Sequence, residues 1–115
     1  KLVHGSEAQV RKLGTGAALA ALAVWPAFAQ TPDPRVGRQI ALTVCGDCHQ
    51  VEPAPRTPSP HADAPRFADV AQMPSTTETS LKVFLRSTHP TMPNFQFNQE
   101  ELESIVAYIL GMKRQ

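Results

Sequence analysis

Apolar residues recur with helical spacing most clearly near the C-terminus of the chain. Five of them occupy positions i, i+3, i+4, i+7 and i+8: Leu102, Ile105, Val106, Ile109 and Leu110. This spacing predicts an α-helix with one continuous apolar face. Asn98 and Glu101 suit the capping positions of its first turn, and Gly111 suits its end. The apolar face of this helix must be buried against another part of the fold.

A second amphipathic segment extends from residue 34 to about residue 44. Pro34 suits the first position of a helix, and Asp33 before it is a candidate cap. Gly37 is expected on the buried side, where the missing side chain lets another helix approach closely, and the C-terminal helix is the expected partner. The remaining apolar positions recur at intervals of three and four and predict the buried face: Val36, Ile40, Ala41 and Val44.

The middle of the chain predicts two shorter helices. Residues 66–72 form the first, with Phe67 and Val70 as its apolar contacts. Ser75 and Glu78 have the spacing of a capping box, so a helix is expected to start there and to end before Pro90. Phe84 is expected in the core, and the helix presents four apolar residues in all: Leu81, Val83, Phe84 and Leu85. Together these segments indicate an all-α fold of about three to four helices.

The first 29 residues have the organisation of a cleavable secretory signal peptide. Residues 1–12 are polar and include Arg11 and Lys12, residues 13–25 are apolar and rich in alanine, and Ala27-Phe28-Ala29 suits a cleavage site. The apolar run is shorter than the roughly 20 residues that span a membrane. We therefore expect a domain of residues 30–115 without stable membrane insertion, with an uncleaved anchor as the alternative.

The charge of the expected domain is close to neutral. The whole chain carries a formal net charge of +1, and residues 1–29 contribute three basic residues and one acidic residue, which leaves −1 for the rest. Lys82 and Lys113 are the lysines that remain. Neither strong electrostatic steering nor a nucleic-acid partner is expected from such a surface. The domain is also too short for a generous hydrophobic core, so a bound group is expected to supplement it.

The segment Cys45-Gly46-Asp47-Cys48-His49 carries the most specific chemical pattern in the chain. Two cysteines three residues apart and followed by histidine form the motif that attaches a c-type haem. Two thiols can reach the two vinyl groups of the porphyrin, while the imidazole of His49 binds the iron. The alternatives are ordinary thiols, a disulfide that closes only a very short loop, and half of a zinc site.

A methionine between two prolines is the candidate for the opposite face of the haem. Pro90 and Pro93 hold Met92 in a non-helical loop, and a thioether sulfur is a suitable ligand for haem iron. We therefore predict Met92 as the sixth ligand. Met73, also followed by proline, is the main competitor, and three weaker candidates remain: Met112, His61 and His89.

Between the motif and the second predicted helix lies a proline-rich segment. Residues 52–65 include five prolines and no glycine, which predicts a stiff, extended loop that carries the chain around the haem. One carbonyl group in this loop is expected to accept a hydrogen bond from the outer ring nitrogen of His49. Histidine ligands need such a partner to fix their tautomer and orientation.

These features together resemble a small class I c-type cytochrome of bacteria, with one haem and His/Met ligation. The resemblance covers residues 34–112 and is carried by five features: Gly37 eight residues before the first cysteine, the attachment motif, Pro65-Arg66-Phe67, Met92-Pro93, and the helix that contains residues 105–109. It implies a cytochrome c-like fold, first and last helices that cross near Gly37 and Tyr108, and Pro65 as the carbonyl partner of His49. Ala41 departs from the pattern, since many relatives carry an aromatic residue there.

The function that follows from the motif and the resemblance is one-electron transfer in the periplasm. The chain is expected to be a carrier rather than an enzyme, with one covalent haem c and a periplasmic dehydrogenase, oxidase or reductase as redox partner. The thioether ligand and an apolar pocket predict a relatively high reduction potential. The haem subunit of a dehydrogenase complex is the main alternative, and a gas sensor or small peroxidase is a further one.

Overall fold

The computed structural model of the chain describes residues 31–114, and the predicted signal peptide lies outside this part. The described residues form helices and connecting loops without any strand, which confirms the all-α prediction. Four α-helices follow one another, and a π-helical turn, Ala41–Cys45, continues the first: α1 Pro34–Ile40, α2 Phe67–Gln72, α3 Glu78–Arg86 and α4 Gln99–Leu110. No helix of residues 31–114 is long and apolar enough to cross a membrane.

Helix α1 starts as predicted and ends differently. The Asp33 side chain accepts a hydrogen bond of 2.8 Å from the backbone N–H of Arg35, with Pro34 in the first turn. The sequence predicts one regular helix to about residue 44, whereas residues 41–45 have the wider π-helical geometry. In that turn the Thr43 hydroxyl donates to the carbonyl of Gln39 at 3.1 Å, a local bond that competes with the regular backbone ladder. Turns of this kind are frequent at functional sites.

The buried face of this segment includes two predicted positions, Gly37 and Ala41, but excludes Val36. Gly37, Ala41 and Cys45 are buried, and their spacing of four places them on one side of the helix. Val36, which was predicted to be buried, is 42% exposed, because it lies about 100° around the helix from Gly37. Ile40 and Val44 are half-buried against the core.

The crossing of α1 and α4 depends on the absence of a side chain at Gly37. A Cβ atom there would lie 1.9 Å from the carbonyl oxygen of Ser104 and 2.8 Å from the nitrogen of Ile105. Both distances are below van der Waals contact, so glycine permits the backbones to meet. Ser104 is fully buried, and its hydroxyl accepts a hydrogen bond of 3.3 Å from the N–H of Asp33. The predicted pairing of the first and last helices is confirmed, one turn before Tyr108.

Helix α4 supplies the centre of the core. Asn98 Oδ1 accepts from the N–H of Glu101, and Glu101 Oε2 accepts from the N–H of Asn98, both at 2.9 Å, as the sequence predicts. Its apolar face contacts α1, α2 and α3. The four central residues of that face are almost completely buried: Leu102, Ile105, Val106 and Ile109.

Helix α2 begins at Phe67, one residue after the predicted start, and ends at Gln72 as predicted; Phe67 is buried. The predicted cap of α3 is wrong. Thr77, rather than Ser75, is the N-cap, because its hydroxyl accepts from the N–H of Ser80 while the Ser80 hydroxyl accepts from the N–H of Thr77. The expectation that Phe84 packs in the core is also wrong, since that residue is 47% exposed.

The predicted extended loop of residues 52–65 instead turns back on the cysteine motif. The N–H of His61 donates to the carbonyl of Cys48 at 3.1 Å, and the N–H of Ala64 donates to the carbonyl of His61 at 3.0 Å. The peptide bond between Ala54 and Pro55 is cis. Proline content indicates stiffness, but it does not indicate which polar groups bind the loop to neighbouring segments. The loop therefore packs beside residues 48–50.

Candidate functional site

A cavity of about 780 Å³ lies between the cysteine motif, α2, α3 and the loop of residues 89–95. Its wall is largely apolar, and its volume falls within the roughly 300–1,000 Å³ of typical ligand and cofactor sites. The wall includes all five residues that the sequence analysis selected: Cys45, Cys48, His49, Pro65 and Met92.

The π-helical turn places the motif at this cavity. Cys45 is the last residue of that turn, and its carbonyl oxygen accepts hydrogen bonds from the N–H groups of Cys48 at 3.1 Å and His49 at 2.9 Å. The chain therefore reverses tightly, which allows both sulfur atoms and the imidazole to line one cavity. Both cysteines are free thiols.

The environment of Cys45 does not favour a thiolate. Cys45 is buried, and this burial raises the pKa of its thiol to about 11. The thiol is therefore protonated at neutral pH, and a metal ion that binds this sulfur has to displace the proton. Within residues 31–114, no group of three or more His, Cys, Asp and Glu side chains is arranged to hold a metal ion. The zinc alternative has no ligand set in this part of the chain.

His49 is held by a hydrogen bond to Pro65 and by a ring contact with Phe67. Its Nδ1 lies 2.7 Å from the carbonyl oxygen of Pro65. A carbonyl oxygen only accepts, so Nδ1 carries the proton and Nε2 keeps the free electron pair that binds a metal. The imidazole also lies against the Phe67 ring, with 5.4 Å between the ring centres and a tilt of 53°. The hydrogen bond implied by the resemblance is present, and among the prolines of the loop it is Pro65 that accepts it.

Several side chains that could face His49 across the cavity belong to its wall. Met92 lies in an irregular loop and is half-buried, whereas Met73 is 43% exposed. His61 and His89 also line the cavity. Met112, by contrast, packs against the hydrophobic core and is not part of the wall.

Two features of the site are not predicted from the sequence. The ring of Phe84 stacks on that of His89, with centres 3.7 Å apart and planes at 28°, and both belong to the cavity wall. The spacing of apolar residues in α3 had predicted Phe84 in the core instead. Gln50, next to His49, binds the proline-rich loop through its side chain. No periodic pattern reveals such contacts, because the partners of Gln50 lie in irregular structure.

Comparison with known proteins adds no name to this site, since neither family models, nor curated proteins, nor solved structures match the chain.

Proposed function

We propose that this chain is a periplasmic one-electron carrier that holds one haem c through thioethers to Cys45 and Cys48, with His49 and Met92 as axial ligands. The observation that carries the proposal is the shared cavity: the attachment motif and the distant Met92 loop line the same space of about 780 Å³. The proposed partners are periplasmic redox proteins, as a free carrier or as the haem subunit of a dehydrogenase complex.

The thiols and the imidazole that line the cavity have the chemistry needed to hold a haem. Thioether formation adds the S–H group of each cysteine across a vinyl double bond, with sulfur bonded to one carbon and hydrogen to the other, and Cys45 and Cys48 are both free thiols in the cavity wall. The Pro65 carbonyl leaves Nε2 of His49 free for the iron. The haem iron supplies one oxidisable centre, and the chain supplies its anchors, its ligands and its apolar surroundings.

The apolar wall and the methionine ligand favour the reduced state of the iron. A low-dielectric environment disfavours the extra positive charge of the oxidised state, and a thioether ligand acts in the same direction. We therefore expect a relatively high midpoint potential in a reductive titration of the purified holoprotein. A strongly negative midpoint would contradict His/Met ligation in this cavity.

His61 and His89 on the cavity wall favour a second candidate, in which the sixth position of the iron is open. A histidine near an open position could assist binding of a gas or peroxide, as in a sensor or a small peroxidase. Carbon monoxide added to the reduced protein at neutral pH distinguishes the two functions. The electron carrier predicts no fast spectral shift because Met92 occupies the position, whereas a fast shift supports the sensor or peroxidase.

A further inference from the structure

Gln50, the residue directly after His49, makes three hydrogen bonds to the proline-rich loop and a fourth to the start of α2. Its side-chain Nε2 donates to the carbonyl of Pro55 at 3.0 Å and to the hydroxyl of Thr57 at 2.7 Å. Its backbone N–H donates to the hydroxyl of Ser59 at 3.0 Å. Its carbonyl accepts from the N–H of Phe67 at 3.0 Å. The loop of residues 52–65 is therefore held at its start, at its middle and just beyond its end.

The chemistry of these contacts requires an amide at position 50. The Pro55 carbonyl can only accept a hydrogen bond, and the two N–H groups of Nε2 supply one donor for each partner of the side chain. A carboxylate of the same shape would place a negative oxygen against the Pro55 carbonyl. Asparagine is shorter by one methylene group and would not reach the same partners. Glutamine thus matches the loop in both length and donor number.

The position of the loop determines the hydrogen bond to the proposed iron ligand. Pro65 lies two residues before Phe67, whose N–H binds Gln50, and His49 lies one residue before Gln50. Gln50 therefore fixes both partners of the hydrogen bond between His49 Nδ1 and the Pro65 carbonyl: His49 through the chain, and Pro65 through Phe67. Pro65 has no backbone N–H that could donate a hydrogen bond. Its position therefore depends on the hydrogen bonds of neighbouring residues.

We propose that Gln50 is a positioning residue, which holds the loop of residues 52–65 so that the Pro65 carbonyl stays bonded to the ring N–H of His49. This inference rests on the proposed function, because its consequence is the tuning of a haem ligand. A carbonyl held against Nδ1–H makes Nε2 a stronger electron donor, which favours the oxidised iron. Loosening the loop therefore raises the midpoint potential.

The test compares Gln50→Glu with Gln72→Glu in the exported holoprotein. Gln72 offers a matched control, because its Nε2 also donates to a distant backbone carbonyl, that of Met112 at 2.7 Å, and it is not part of the cavity wall. Exchange of the His49 ring N–H with deuterated solvent is followed by NMR in the reduced protein, and the midpoint is titrated. Gln50→Glu is expected to accelerate the exchange about tenfold or more and to raise the midpoint. Gln72→Glu is expected to leave the exchange within about twofold of wild type.

Unchanged exchange in Gln50→Glu, or equal changes in both variants, would overturn the inference. If Gln50→Glu yields no folded protein, the milder Thr57→Val decides, since it removes one acceptor of the same amide at an exposed position. An acceleration of about threefold supports the inference, and an unchanged rate overturns it.

A wild-type protein without covalent haem contradicts the proposed function, and the inference falls with it. A haem-bearing wild type with unaffected variants contradicts the inference alone.

Discussion

At the scale of single residues, His49 is fixed by a hydrogen bond to Pro65 and by the ring of Phe67. Both contacts are made by groups of the chain itself. A side chain held in this way needs little further ordering to bind a metal ion or cofactor, which is the advantage of a preorganised site. The position of a second ligand is less well defined, because Met73 and Met92 both belong to the cavity wall.

The choice between these two methionines is tested by parallel substitutions. We expect Met92→Ala to abolish the weak near-infrared absorption band of sulfur-ligated ferric haem, because the sulfur ligand is lost. Met73→Ala is the matched control, and the band is expected to persist in it. Loss of the band in Met73→Ala and its retention in Met92→Ala would assign the ligand to Met73.

Tyr108 gives a prediction that depends on pH. Its hydroxyl donates to the carbonyl of Val51 at 2.9 Å, and burial, followed by the Glu52 carboxylate, raises the pKa of Tyr108 above its ordinary value of 10.0. A raised pKa means that the folded state favours the protonated phenol. The corresponding stability is fully present below pH 10 and is lost as pH rises through the pKa of the folded protein.

We therefore expect Tyr108→Phe to lower the free energy of unfolding by about 1 kcal/mol at neutral pH, through the lost hydrogen bond. The difference from wild type is expected to shrink above about pH 10, where only the wild type has a phenol to deprotonate. Urea unfolding of both proteins across this pH range provides the measurement. A difference that stays constant or grows with pH would contradict this account of Tyr108.

The sequence predicted which residues share the cavity better than it predicted the contacts that hold them. Cys45, Cys48 and His49 were selected because the proposed covalent haem demands one spacing of three side chains, and all three line the cavity. Pro65 followed from the resemblance, and the hydrogen bond to His49 bears out its position. The contacts of Gln50 join a motif to an irregular loop, and nothing periodic in the chain indicates them.

At the scale of elements, the crossing of α1 and α4 organises the described part of the fold. Gly37→Ala places a methyl group against the Ser104 backbone at 1.9 Å, and a backbone cannot move aside as a flexible side chain can. We expect a loss of at least about 3 kcal/mol in the free energy of unfolding, measured by chemical denaturation.

The control for this substitution is Gly111→Ala at the end of α4. A Cβ atom at Gly111 would lie 3.3 Å from the nearest carbonyl oxygen, that of Ala107, and the residue already has helical dihedral angles. Its stability is expected to stay within about 1 kcal/mol of wild type. Equal effects of the two substitutions would mean that close contact at Gly37 does not determine the packing.

The cap of α3 provides a second test at this scale. Thr77→Ala removes the hydroxyl that accepts from the N–H of Ser80, and about 1 kcal/mol of stability is expected to be lost with it. Ser75→Ala is the matched variant, because the Ser80 hydroxyl binds the Ser75 carbonyl rather than its side chain. Its effect is expected to stay within about 0.5 kcal/mol in thermal unfolding. A larger loss in Ser75→Ala than in Thr77→Ala would support the capping box that the sequence predicted and contradict the one that Thr77 and Ser80 form.

The positions of the helices were predictable because the spacing of apolar residues indicates a helix whichever element packs against it. The capping residues at the helix ends were not all predictable. Ser75 and Glu78 have the right spacing for a capping box, yet Thr77 and Ser80 form the reciprocal pair in the structure. Val36 shows the same limit, because apolar spacing does not fix the edge of the buried face, which in α1 is set by the close approach of α4 at Gly37.

At the scale of the whole molecule, the cavity adjoins the hydrophobic core. Four residues are both buried core residues and parts of the cavity wall: Cys45, Phe67, Leu81 and Ile109. A large apolar group in the cavity would therefore continue the core rather than sit apart from it. A domain of this length gains proportionally little from its own side chains, so such a group would contribute to its stability as well as to its chemistry.

The absorption spectrum of the exported, purified protein decides whether the chain carries a haem. The proposed site predicts the visible bands of a c-type haem, retained after denaturation because the group is covalently bound, together with the near-infrared band of sulfur-ligated ferric haem. Attachment through Cys45 and Cys48 requires these bands to disappear when both cysteines are replaced by alanine. A colourless wild-type protein, from cells that attach haem to other proteins of this kind, would contradict the account.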